Sequence, residues 1–155
     1  MKNKSYYLNQ DKFWDELKSG KFASMVKEST KGKSLKDSSE VYNILKPLFT
    51  EDVEQFFCIF LDNKNRVIAI EKLFSGSLTC IMIHPREIIK KVLKHKALSI
   101  IIGHNHPSGD PEPSDEDNDV TKKIKLAMDV IEGNLFDHVI VGNDKYYSFQ
   151  EQNKI

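Results

Sequence analysis

One run, "LSIIIGH" at residues 98–104, constrains the fold more than any other. Its apolar residues are continuous rather than alternating with polar ones. Such a run reads as a β-strand covered on both faces, central in a sheet with helices on either side. Behind it comes "GHNHPSGDPEPSDED", residues 103–117, with two histidines one residue apart, three prolines and two glycines. In open α/β sheets, sites form where a loop leaves the carboxyl end of a central strand.

The rest of the chain supplies partners for that strand. "QDKFWDELKSG" carries a short helical pattern, with Gly20 suited to end it, and "KESTKGKS" reads as a polar linker. "SSEVYNILKPLF" reads as a helix capped by Ser38 or Ser39, with Val41, Ile44, Leu45 and Leu48 as its apolar stripe and Pro47 disturbing its last turn. The period then changes. "EQFFCIFLD" and "RVIAIEKLF" form a hairpin about the turn "NKN", and "SLTCIMI" reads as a third strand. "HPREIIKKVLKHKA" is a helix with Pro85 in its first turn and Ile88, Ile89, Val92 and Leu93 inward. A further helix runs from about Ser114 to Glu132, ending at Gly133, and "FDHVIVG" and "KYYSF" close the chain as strands. The expected class is α/β or α+β, a mixed sheet flanked by helices.

The 155 residues suit one domain, large enough to bury a core without disulfides or a structural metal. A metal site here would accordingly be functional. Lysine plus arginine and aspartate plus glutamate both number 23, and a net charge of zero argues against a strongly basic nucleic-acid binder. Residues 1–36 are nonetheless basic, with nine lysines against four acids. They read as an extension before a domain at 37–155, either a solvated segment or an arm touching nucleic acid. Cys58 and Cys80 lie in apolar stretches, as free buried cysteines of a reducing compartment do. With no secretory h-region and no long apolar span, a cytoplasmic location is expected.

His104 and His106, at i and i+2 on an extended segment, project to one side and can reach one ion. Catalytic zinc takes three protein ligands and a water, and Asp117 is available if the proline-punctuated loop folds back. A plainer reading makes "PSGDPEPSDED" a turn and a capped helix, with Ser114 and Asp117 as an acidic capping box.

"HNHPSGDPEPSDED" matches the JAMM motif, H-x-H-x7-S-x2-D, at every defined position. The text around it, including Asn105, resembles the RadC family from about residue 38 to 149. That resemblance implies a JAB/MPN domain, related to the cytidine-deaminase-like fold, with zinc held by His104, His106 and Asp117. It implies an oxyanion role for Ser114 and a glutamate upstream as general base. Glu54, which opens "EQFFCIFLD", fits that place; Glu51 and Glu71 are weaker, and Glu71 falls on the solvent face of its strand. The implied activity is hydrolysis of a peptide, isopeptide or other amide bond, Glu54 relaying a proton from a metal-activated water to the leaving amine. The substrate is not named by any residue.

A rival reading is a DNA-associated RadC-like module with little or no hydrolytic activity. Full-length RadC proteins carry a helix-hairpin-helix region for which residues 1–36 are too short. Arg86, Lys90, Lys91, Lys94 and Lys96 offer phosphate contacts or a solvated helix face. His84 reads as an N-cap-region or surface group, His95 as solvated and His138 as structural. The deaminase pattern H-x-E…P-C-x-x-C and the zincin pattern H-E-x-x-H are missing.

Overall fold

The computed structural model describes residues 19–76 and 83–155. The expected helix at residues 10–20 falls almost wholly outside them, as do Cys80 and all of the expected third strand but Ile83, which is not in a strand.

Among the described residues the elements run α1 (Lys21–Thr30), α2 (Ser38–Leu45), a 3-10 turn (Lys46–Leu48), β1 (Glu54–Leu61), β2 (Val67–Gly76), α3 (Pro85–His95), β3 (Ser99–Asn105), α4 (Asp115–Val130), β4 (Asn134–Val141) and β5 (Tyr146–Ser148). The strands form one mixed sheet in the order β2-β1-β3-β4-β5, with β3 central. It is antiparallel to β1 and parallel to β4.

The central place of β3 accounts for the apolar run at residues 98–104. Ile101 packs with Leu45, Phe57 and Val139 in one core, on the α2 side. Ile100 and Ile102 pack with Val92, Val120 and Ile124 in the other, under α3 and α4. Strand alternation sends successive isoleucines into different cores, so none can be polar. The β1–β2 turn is held by Asp62, whose Oδ1 accepts from Lys64 N (2.8 Å) and Arg66 N (3.0 Å), while Asn65 takes the left-handed conformation at φ 55°.

Six local expectations are corrected. "KESTKGKS" is not all linker: its first four residues end α1, whose Ala23 and Val26 pack on the core. The cap of α2 is Asp37, whose side chain accepts from Glu40 N, because Ser38 is buried and donates to Asp137 Oδ2 at 2.7 Å. Leu93 is 65% exposed, since Ile88 and Val92, four residues apart, define the buried line and Leu93 lies a further 100° round. α4 stops at Val130, and the left-handed residue behind it is Glu132 (φ 56°) rather than Gly133. Glu71 and His95 are not solvated: Glu71 is held by Lys91 and by His95 Nε2 (2.6 Å), and His95 packs on Phe60 with ring centroids 4.7 Å apart.

Candidate metal centre

His104 is the penultimate residue of β3, and its side chain is completely buried. Phe56, its cross-strand partner on β1, stacks on its ring at 5.0 Å with 7° between the planes. His106 lies just past the strand, where its N–H donates to Val141 O at 3.0 Å. The loop then turns at Gly109, which has φ +86°, and Gly109 O accepts from Asn143 N at 3.1 Å. A Cβ on Gly142 would stand 2.4 Å from that same carbonyl oxygen, so the β4–β5 turn can approach only as glycine. The loop is thereby pinned along its way to α4.

At the start of α4, Ser114 and Asp117 form a reciprocal capping box. Ser114 Oγ accepts from Asp117 N at 3.1 Å, and Asp117 Oδ2 accepts from Ser114 N at 2.9 Å. The plain reading of this pair is therefore correct as far as it goes, but the carboxylate does more. Asp117 Oδ1 lies 3.1 Å from His104 Nε2, and Oδ2 lies 3.2 Å from His106 Nε2. The two Nε2 atoms are themselves 3.1 Å apart. Glu54, the first residue of β1, brings Oε1 to 3.8 Å from His106 Nε2.

Four residues from three strand or helix ends thus meet at one point. Glu54, His104 and His106 each offer a ligand atom within 4.8 Å of the others, a group able to hold a metal ion. Asp117 approaches His106 more closely than Glu54 does. Ser114 joins the cluster through its contacts with Asp117. Glu51 is directed elsewhere, to Lys72 (3.0 Å) and Ser75 (2.6 Å).

The electrostatics follow from burial and contact. Burial opposes ionisation of Asp117, but the hydrogen bonds and charge of the histidines, with the Ser114 N–H, hold its carboxyl well below the usual range. Burial also disfavours a charge on His106, yet Asp117, the Asp110 carbonyl and Glu54 together raise its pKa. His104 and His138 are pushed down by burial, His138 far down.

Sequence reasoning missed two contributors. His138, noted only as structural, has Nε2 2.9 Å from His104 Nδ1. Thr121 Oγ1 lies 2.6 Å from His138 Nδ1. The signal for Thr121 was its position four residues after Asp117, on the same face of α4.

A mixed sheet between helices, with imidazole and carboxylate groups meeting at the end of its central strand, defines an α/β domain with a metal-capable cluster. The family model of the RadC-like JAB domain matches residues 35–154, and the chain belongs to that family. It is similar to a UPF0758 protein of Actinobacillus pleuropneumoniae serotype 5b (strain L20), 46% identical over 105 residues, covering 68% of this chain and 48% of that protein. A UPF0758 protein of Coxiella burnetii (strain Dugway 5J108-111) is 48% identical over 98 residues, 63% of this chain and 44% of its own length. One from Pseudomonas syringae pv. tomato is 41% identical over 129 residues, 83% of this chain and 58% of that one. The chain spans about half the length of these relatives. No helix among the described residues is long and apolar enough to cross a membrane.

Proposed function

We propose that this domain is a zinc-dependent hydrolase of an amide bond in a peptide or protein conjugate, with His104, His106 and Asp117 as ligands. The observation that carries the reading is the approach of His104 Nε2, His106 Nε2 and the Asp117 carboxylate to within 3.1–3.2 Å of one another. His106 Nδ1 is 2.8 Å from Asp110 O, a carbonyl that only accepts, so Nδ1 is protonated and Nε2 is the nitrogen left to face a metal. Lone pairs and a carboxylate at this spacing repel unless a cation or shared protons lie among them. Tetrahedral zinc, with bonds of about 2.0–2.1 Å, separates its ligand atoms by about 3.3 Å. A donor set of nitrogen and oxygen without thiolate also suits it.

A zinc ion held by His104, His106 and Asp117 would supply the acidity that brings a bound water toward a pKa of about 7 and would polarise an amide carbonyl. Glu54 takes a proton from the attacking water and returns it to the leaving nitrogen, a role its half-buried place beside His106 suits. Ser114 uses an Oγ lone pair in its cap, which leaves its O–H to donate to the oxyanion. The DNA-associated reading has no comparable support. Arg86, Lys90, Lys91 and Lys94 of α3 all lie within 4.0 Å of Glu71 or Glu87.

Metal analysis of the purified chain tests this. About one zinc per chain is expected, lost in Asp117→Ala. Glu54→Gln should keep the zinc and lose cleavage of a peptide library by at least about 100-fold. A chain that takes up no zinc from supplemented buffer sinks the proposal.

A further inference from the structure

His138 and Thr121 present no atom to the point where Glu54, His104, His106 and Asp117 meet, yet both are buried behind it, 0% and 2% exposed. Their polar atoms form an unbroken line. His104 Nδ1 is 2.9 Å from His138 Nε2, His138 Nδ1 is 2.6 Å from Thr121 Oγ1, and Thr121 Oγ1 is 2.5 Å from Asp117 O.

The direction of that line follows from its last atom. Asp117 O is a carbonyl oxygen and can only accept. Two oxygens at 2.5 Å need a proton between them, and the Thr121 hydroxyl has the only one. Thr121 Oγ1 is therefore an acceptor toward His138, and His138 Nδ1 bears a proton. A singly protonated His138 then has a bare Nε2, which accepts from His104 Nδ1–H. In a neutral His104, the form burial favours, Nε2 then keeps its lone pair for the point where Asp117 and His106 meet.

We propose that His138 and Thr121 are positioning residues. Their hydrogen-bond relay, anchored on the Asp117 carbonyl, holds His104 in the one tautomer that can ligate through Nε2. The purpose of the relay rests on the metal reading above; its existence does not. His106 needs no such relay, because Asp110 O fixes its tautomer directly. The relay starts on one proposed ligand and ends on another, so it also ties the end of β3 to the first turn of α4 from inside the core. Phe56 stacks on His104 and Phe149 on His138 (4.7 Å, 9°), which restricts rotation of each imidazole.

The test compares Thr121→Val, which removes the hydroxyl at nearly constant shape, with Thr121→Ser, which retains it. Histidine rings of the metal-free full chain, labelled with 15N, report their tautomers through long-range proton–nitrogen correlations. Wild type and Thr121→Ser should show Nδ1–H on both His104 and His138. Thr121→Val should show His104 partly or wholly as Nε2–H, and its zinc affinity should fall about 10–100-fold, with Thr121→Ser close to wild type. A role in packing alone would lower the melting temperature without moving the ring nitrogens. An Nε2–H His104 or a doubly protonated His138 in wild type overturns the relay. So does a Thr121→Val chain with unchanged tautomers. A wild-type chain that binds no zinc defeats the metal reading, while the nitrogen spectra still decide the relay.

Discussion

Asn105 lies between the two histidines and turns its side chain the other way, toward β1. Its Oδ1 accepts from Gln55 N at 2.7 Å, and its Nδ2 donates to Val53 O at 3.1 Å. One amide therefore grips the backbone on both sides of Glu54. Asn105→Ala removes both bonds. A neutral hydrogen bond contributes about 0.5–1.5 kcal/mol net, and the one to Val53 is exposed, so the expected loss is about 1–2 kcal/mol. Most of it should come from Gln55, a residue only 1% exposed, whose N–H would be left without this acceptor.

Two measurements check this. The urea midpoint should fall at constant m-value, which marks a change in stability alone. Native-state hydrogen exchange should show the Gln55 amide losing about tenfold in protection, the equivalent of about 1.4 kcal/mol. Amides of Ile59 and Ile101, in the sheet centre, should lose no more than the global change. Asn105→Asp should be worse than alanine, because an acceptor would then face Val53 O and a second charge would stand beside Glu54. If Asn105→Ala leaves Gln55 exchange as it was, the clamp is not what holds Glu54 and the reasoning fails.

Asp137 is a buried polar anchor: Oδ2 accepts from the hydroxyls of Ser38 and Ser148 (both 2.7 Å), and Oδ1 from His138 N (2.7 Å) and Gln150 N (3.0 Å). Asp137→Ala strands these donors and should cost about 3–5 kcal/mol in thermal unfolding; a loss under about 1 kcal/mol would mean the donors find other partners. Glu71 gives a pH signature. Burial works against its ionisation, but hydrogen bonds from Lys91 and His95 outweigh it and lower its pKa. A depressed acid contributes stability that is whole above the unfolded value of about 4.3 and is lost as pH falls through the lower folded value. Glu71→Gln should thus be less stable than wild type at pH 5, by about 1 kcal/mol or less for a cluster only partly shielded from solvent, with the two curves converging below about pH 4. A gap that persists undiminished to about pH 3 would contradict the sign.

What could be read from the sequence divides along a physical line. Strand and helix identity depends on periodicity within about ten residues, and the hairpin, the central strand and α4 all follow from it. The convergence of His104, His106 and Asp117 was approachable for the same reason, because all three lie within one loop and its two flanking element ends. Features set by distant partners were not. The cap of α2 moved to Asp37 because Ser38 is drawn inward by Asp137, 99 residues away. Glu71 looked solvent-facing by alternation because the α3 residues that cover it lie 20 and 24 residues on. His138 was visible as a residue but not as the partner of His104, 34 residues before it, since nothing local marks which buried ring meets which.

The end of β3 shows how fold and site are one arrangement. Along the strand, Ile100 and Ile102 enter the core under α3 and α4, while Ile101 enters the one on the α2 side. The alternation continues past the isoleucines, but the residues become polar. His104 continues the first row and meets Asp117 at the start of α4. Gly103 continues the second row because Leu45 of α2 presses close: a Cβ there would stand 2.2 Å from Leu45 Cδ1. Asn105 follows it and grips the backbone around Glu54. One strand end therefore contributes an imidazole on one face and a clamp for the glutamate on the other. Both side chains sit on backbone already fixed by two hydrophobic cores, so they hold their positions without a separate scaffold.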